Sequence, residues 1–225
     1  MISDDSAGKN TATSTSTLAA TDTATTETSQ MAKPGQPGCF FLVVGPSGAG
    51  KDSLIDGARQ QLPSDQFVFA KRIITRPPGM IGENYQSCDP ATFTQKAKEG
   101  AFLMTWQAHG YQYGLDRSLL EQQHQGRHVI ANGSRAAVSE MANQVRQLIP
   151  NFVVVLVTAP IEVLADRLAK RGRESRSDIK QRLERQVHPL PEEIEVLIVT
   201  NDASLDEGIK RFTRTIIERA ERSKH

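Results

Sequence analysis

Gly45-Pro46-Ser47-Gly48-Ala49-Gly50-Lys51-Asp52-Ser53 follows directly on the apolar run Cys39–Val44 and leads directly into a helical pattern over 51–62. That order of strand, glycine-rich turn and helix is the setting in which such a loop binds phosphate. Glycines at 45, 48 and 50 let the backbone turn its N–H groups inward, and the helix N-terminus adds partial positive charge. Lys51 is placed to bridge the β- and γ-phosphates of a nucleotide and to follow charge as it moves. The residue after the lysine is normally Ser or Thr, whose hydroxyl reaches Mg2+, and here it is Asp52. A carboxylate is also a hard oxygen ligand, so Asp52 is a candidate for the metal, with Ser53 the runner-up and a simple favourable charge at the helix start the remaining reading. No predicted strand ends in the aspartate that usually assists the metal, which favours Asp52.

Outward from the loop, short apolar runs alternate with helical periodicity, the pattern of βαβ units feeding a buried parallel sheet. Strands are predicted at 39–44, 67–73, 128–131, 152–158 and 196–200, and helices at 51–62, 134–147, 161–170, 178–187 and 204–222. The stretch 74–126 is less regular, with a helical segment at 90–99 and a hairpin over 101–114. It reads as an insertion over the carboxyl edge of the sheet, where ligands of α/β proteins bind. The fold class is therefore α/β, with a parallel-sheet P-loop NTPase core.

Composition agrees. The 225 residues are 38% hydrophobic and carry a net charge of +1, enough for one α/β domain. Fourteen of the first thirty residues are Ser or Thr, too little apolar surface to offset the entropy of ordering, so 1–32 is predicted disordered and 33–38 a linker, with the domain at 39–225. Residues 1–38 carry −2 and the rest +3, too mild an excess for a nucleic-acid binder. The apolar runs are too short to span a bilayer and no hydrophobic signal region opens the chain, so a cytoplasmic protein without a membrane partner is expected. Cys39 and Cys88 lack metal or redox spacing and are expected as reduced core thiols. His124 and His128 stand four apart, but Gly126 interrupts them and no third ligand is near. Phe102 and Trp106 read as strand core.

The loop, Ile74-Thr75-Arg76-Pro77, Gly110-Tyr111-Gln112-Tyr113-Gly114, and Arg171-Gly-Arg-Glu174 with Arg182-Leu183 together resemble the guanylate kinase fold. The resemblance implies an acceptor-binding insertion at about 74–126 and an arginine-bearing lid at about 171–177. It assigns Arg76 and Tyr113 to the acceptor phosphate and Arg171 and Arg182 to the transferring phosphoryl group. Two departures are informative. The positions of the two acids that read guanine hold Met104 and Ile130, while cations appear at Arg72 and Arg135. An acceptor with no base and more negative charge than a nucleoside monophosphate is implied. Gly50-Lys-Asp-Ser-Leu54, Thr75-Arg-Pro77, Gly82-Glu-Asn84 and Asn132-Gly-Ser-Arg135 are similar to the ribose 1,5-bisphosphate phosphokinases of phosphonate breakdown. That resemblance implies ATP and Mg2+ as cofactors, a phosphorylated sugar as small-molecule partner, and 5-phosphoribosyl 1-diphosphate as product. A nucleoside monophosphate kinase with an altered base pocket is the alternative. A third reading, a guanylate-kinase-like binding module without activity, is disfavoured by the intact lysine and glycines.

Because residues 1–32 contribute no predicted strand, helix or ligand, their deletion is expected to leave melting temperature and activity unaltered. A thermal melt and a rate assay on the truncated chain check this.

Overall fold

The computed structural model describes residues 36–78, 85–145, 147–170 and 189–223, all within one compact unit spanning Ala32–His225. The tail at 1–32, the lid segment 171–177 and the helix expected at 178–187 lie outside the described residues.

In chain order the elements are β1 (Phe40–Val44), α1 (Lys51–Gln61), β2 (Phe67–Phe69), β3 (Arg72–Ile74), β4 (Tyr85–Ser87), α2 (Pro90–Lys98), β5 (Phe102–Ala108), β6 (Tyr111–Asp116), α3 (Ser118–His124) and β7 (His128–Asn132). A 3-10 turn (Arg135–Ala137), α4 (Val138–Val145), β8 (Phe152–Thr158), α5 (Ile161–Ala169), β9 (Glu195–Thr200) and α6 (Leu205–Arg222) complete the series. Five strands form the central sheet in the order β2-β7-β1-β8-β9, with every pairing parallel.

β1 is apolar throughout because both of its faces are covered. Successive side chains point to opposite faces. Phe41 and Val43 meet Leu54 and Ala58 of α1, Leu164 and Leu168 of α5, and Phe212 and Ile216 of α6. Phe40, Leu42 and Val44 meet Val138, Met141 and Val145 of α4 together with Trp106 and Tyr113. The sheet is thus sandwiched, and β1, its middle strand, delivers the loop at its carboxyl end between β7 and β8.

One expected strand, 67–73, is two. Phe69 is the last residue paired to β7, and Ala70 donates its N–H to Ile130 O at 2.9 Å as the chain leaves the central sheet. From Arg72 it joins a second sheet of order β4-β3-β6-β5, where Ile73 packs with Phe93 and Phe102 and Ile74 with the core under α4. The run Phe67–Ile74, interrupted only by Lys71-Arg72, does not by itself reveal that its two halves pair with different partners. The expected hairpin is β5–β6, closed by His109 (φ 51°) and Gly110 (φ 78°), both in the left-handed region as a two-residue type I′ turn requires. Phe102 and Trp106 are buried, as strand core should be. α3 falls in the stretch that the periodicity left irregular, and the helix expected at 134–147 begins as a 3-10 turn.

His128 is buried, and its Nδ1 accepts the backbone N–H of Cys39 at 3.0 Å. His124 lies against Leu148 O at 3.2 Å, and no group of three metal-ligating side chains gathers among the described residues. Both cysteines are free of disulfides. Burial pushes the Cys39 thiol up from its ordinary value, against the opposing effects of a Ser223 hydrogen bond and the Arg219 charge. Among the described residues no helix is long and apolar enough to cross a membrane.

α1 and α6 approach so closely at Gly57 that a Cβ there would stand 2.3 Å from Ile209 Cδ1 and 3.0 Å from its Cγ2. Gly57→Ala gains about 1 kcal/mol of helix propensity but overpacks at a cost of about 1–3 kcal/mol. A net loss of stability is expected in urea titration, reversed when Ile209→Ala is added.

Candidate active site at the phosphate-binding loop

The loop's backbone shape explains its glycines. Gly45 has φ 151° and lies so close to β8 that a Cβ would come within 2.0 Å of Val157 O. Gly50, at φ 88°, is the left-handed cap of α1. A Cβ there would meet Asn201 Nδ2 at 2.5 Å.

Asn201 was not among the residues expected at the site. It follows β9, is 4% exposed, and donates from Nδ2 to Ala49 O at 2.8 Å, while its own N–H is bound by Thr158 O at 2.7 Å. It ties the loop to the ends of two strands. The available signal was the polar Asn201-Asp202 pair closing an apolar run. Beside it, Arg211 donates to Asp202 Oδ1 at 3.0 Å and to Thr200 O. That hydrogen bond holds the exposed Asp202 carboxyl below the usual carboxylate range.

Lys51 Nζ donates to Gly45 O at 2.8 Å and Pro46 O at 3.2 Å, which keeps the ammonium over the loop. Arg167 of α5 donates to Gly48 O at 3.5 Å. Ser53 is exposed and Asp52 half-buried. Asp52 Oδ1 accepts from Asn132 Nδ2 at 2.7 Å and from Arg72 Nη2 at 3.4 Å. The register Val43↔Asn132 puts the end of β7 beside the loop, and Arg135 begins the 3-10 turn that follows.

On the second sheet, Arg76 follows β3 and its guanidinium lies 4.3 Å over the Tyr85 ring. The Tyr85 hydroxyl donates to Pro77 O at 2.7 Å, and Ser87 Oγ donates to Arg76 O at 2.6 Å. The partner ring Tyr85 had no distinguishing sequence signal. Tyr113 is buried and stacks on Trp106 with centroids 5.2 Å apart. Met104 and Ile130, in place of the base-reading acids, are each 1% exposed and belong to the two main core clusters. Arg171 and Arg182 lie outside the described residues.

For a magnesium ion the residues fit. Asp52 offers a carboxylate, and the neighbouring Asn132 Oδ1 is buried without a hydrogen-bond partner. Both are hard oxygen ligands of the kind that complete a shell begun by nucleotide phosphates and water.

Sheet order and loop together define a P-loop α/β protein with a second, four-stranded sheet. A guanylate kinase family model matches residues 39–219. The solved guanylate kinase from Anaplasma phagocytophilum superposes with a TM-score of 0.56 at 16% identity, over 83% of this chain and 88% of that one. The ribose 1,5-bisphosphate phosphokinase PhnN of Brucella melitensis biotype 2 is 43% identical over 80% of this chain and 93% of its own length. A bifunctional ribose 1,5-bisphosphokinase-thymidine phosphorylase of Cupriavidus pinatubonensis is 53% identical over 79% of this chain. The chain spans 29% of the length of that bifunctional relative. The chain belongs to the guanylate kinase family, and within it to the same group as the PhnN protein of Brucella.

Asn201→Asp would set a carboxylate oxygen against Ala49 O and remove the donor. It is expected to cost about 1–3 kcal/mol of stability and to weaken nucleotide binding, as read by denaturant titration and by nucleotide affinity.

Proposed function

We propose that this protein transfers the γ-phosphoryl group of ATP to the anomeric phosphate of ribose 1,5-bisphosphate, giving 5-phosphoribosyl 1-diphosphate. The observation that carries this reading is the pairing of a gained cation with a lost base reader. Arg72 is at the loop, bonded to Asp52, while Met104 and Ile130 are core side chains unable to meet a purine edge. A site gains little discrimination for a base it cannot hydrogen-bond, and an arginine's planar fork suits phosphate.

An anomeric phosphate oxygen, anionic at neutral pH, forms the new bond to the γ-phosphorus as the bond from phosphorus to the β,γ-bridging oxygen breaks. ADP leaves with that electron pair. No proton needs removal from the nucleophile, so positioning and charge neutralisation suffice. The loop N–H groups and Lys51 hold the donor phosphates, with Ser47 and Ser53 at the loop's rim. Arg72, Arg76, Tyr113 and Arg135 hold the acceptor. Arg171 and Arg182, carried over from the family resemblance, would neutralise the group in transit. Asp52, with Asn132 beside it, would hold magnesium with the nucleotide, and the ion would supply charge neutralisation at the phosphates. Cytoplasmic ATP supply and a place in phosphonate breakdown accord with this reading.

Purified protein with ATP and Mg2+ should form 5-phosphoribosyl 1-diphosphate and leave GMP essentially untouched, a contrast of about 10⁴ or more. Phosphorylation of GMP at a comparable rate would instead establish the nucleoside monophosphate kinase. Lys51→Ala should lose about 10²-fold or more in turnover while keeping its fold, by analogy with loss of a preorganised charge-stabilising donor. Product chromatography and circular dichroism check both.

A further inference from the structure

Asp52 does more in this structure than stand where a hydroxyl residue is usual. Its Oδ1 is the meeting point of three segments: α1, on which it stands, Asn132 at the end of β7, and Arg72 at the start of β3. The Arg72 side chain is only 12% exposed, while that of Asp52 is 43% exposed. A guanidinium taken that far out of water needs an anionic partner, since an uncompensated buried charge is costly. Arg76 is organised differently, its plane laid over Tyr85. Tyr85 stands opposite Arg72 in the β3–β4 register. The acceptor-side sheet therefore presents two arginines. One is tied to the donor loop, and the other lies four residues along the chain, at most about 13 Å away between Cα atoms.

Resting on the acceptor reading above, we propose that Asp52 is a positioning residue. It holds Arg72 at the junction of donor and acceptor, so that Arg72 takes the phosphate receiving the transferred group. The carboxylate contributes in two opposed ways. It repels an incoming phosphate through space, whichever arginine is present, and it orients Arg72, an effect that exists only when Arg72 does. A double-mutant cycle separates the two.

The experiment uses wild type, Asp52→Asn, Arg72→Ala and the double variant, each first shown folded by circular dichroism and melting. Ribose 1,5-bisphosphate is titrated calorimetrically into each protein with EDTA and no nucleotide, so that metal binding by Asp52 makes no contribution. Asp52→Asn is expected to weaken binding about tenfold in the wild-type background and, with only the repulsion left to remove, to leave it unchanged or tighten it beside Arg72→Ala. Ribose 5-phosphate, which lacks the anomeric phosphate, should bind all four proteins within about twofold. Binding by Asp52→Asn as tight as wild type, losses that multiply in the double variant, or an equal loss toward ribose 5-phosphate would overturn the proposal.

If wild type binds no bisphosphate, the acceptor reading itself has failed, and the same four proteins are titrated with the nucleoside monophosphate they phosphorylate. Non-multiplying losses there uphold the Asp52–Arg72 coupling, and multiplying losses end it.

Discussion

A loop that turns its N–H groups inward to gather phosphate turns its carbonyl groups outward, and each needs a donor if the loop is to keep that shape without ligand. This constraint organises the structure around 45–51. Lys51 serves Gly45 O and Pro46 O, Arg167 reaches Gly48 O, Asn201 serves Ala49 O, and the first helical N–H of Leu54 serves Gly50 O. The donors come from three places in the chain: α1, which supplies Lys51 and Leu54, α5 and the end of β9. A sequence motif of nine residues is thus preorganised by side chains up to 152 positions away. The strand order β7-β1-β8-β9 brings them there.

The second sheet obeys a different constraint, the cost of holding cations partly out of water. Arg72 is paired with a carboxylate and Arg76 is laid on an aromatic face. Both arrangements hold a guanidinium in one orientation, which would reduce the entropy lost on binding an anion. The second sheet carries both arginines, and it owes its place to the break after Phe69, where the chain passes from β2 into β3. That passage brings Arg72 to the loop. Met104 and Ile130 complete the contrast, for both are buried in the core that supports the sheets.

Much of this was legible in the order of residues alone. The loop motif, the alternation of buried strands with helices, the β5–β6 hairpin and the identity of Lys51, Arg72 and Arg76 as site candidates all depend on local chemistry. Glycine conformations, strand–helix periodicity and charge are properties of neighbouring residues, and they are readable from neighbours. The split of 67–73 into two strands, the short α3 and the 3-10 turn at Arg135–Ala137 were not legible, because each is decided by pairing or packing with segments remote in sequence.

The same boundary runs through the site. Sequence by itself determined that a phosphate-binding loop follows the first strand, that Asp52 stands where a hydroxyl residue is usual, and that cations accompany apolar residues at the base-reading positions. Tertiary structure alone decided that Asn201 anchors the loop, that Tyr85 underlies Arg76, and that Asp52 joins Asn132 and Arg72. These contacts span 9 to 152 positions. Their partners are chosen by which strand ends the sheet order sets side by side, a choice made by burial of the whole apolar core and by no single stretch of residues.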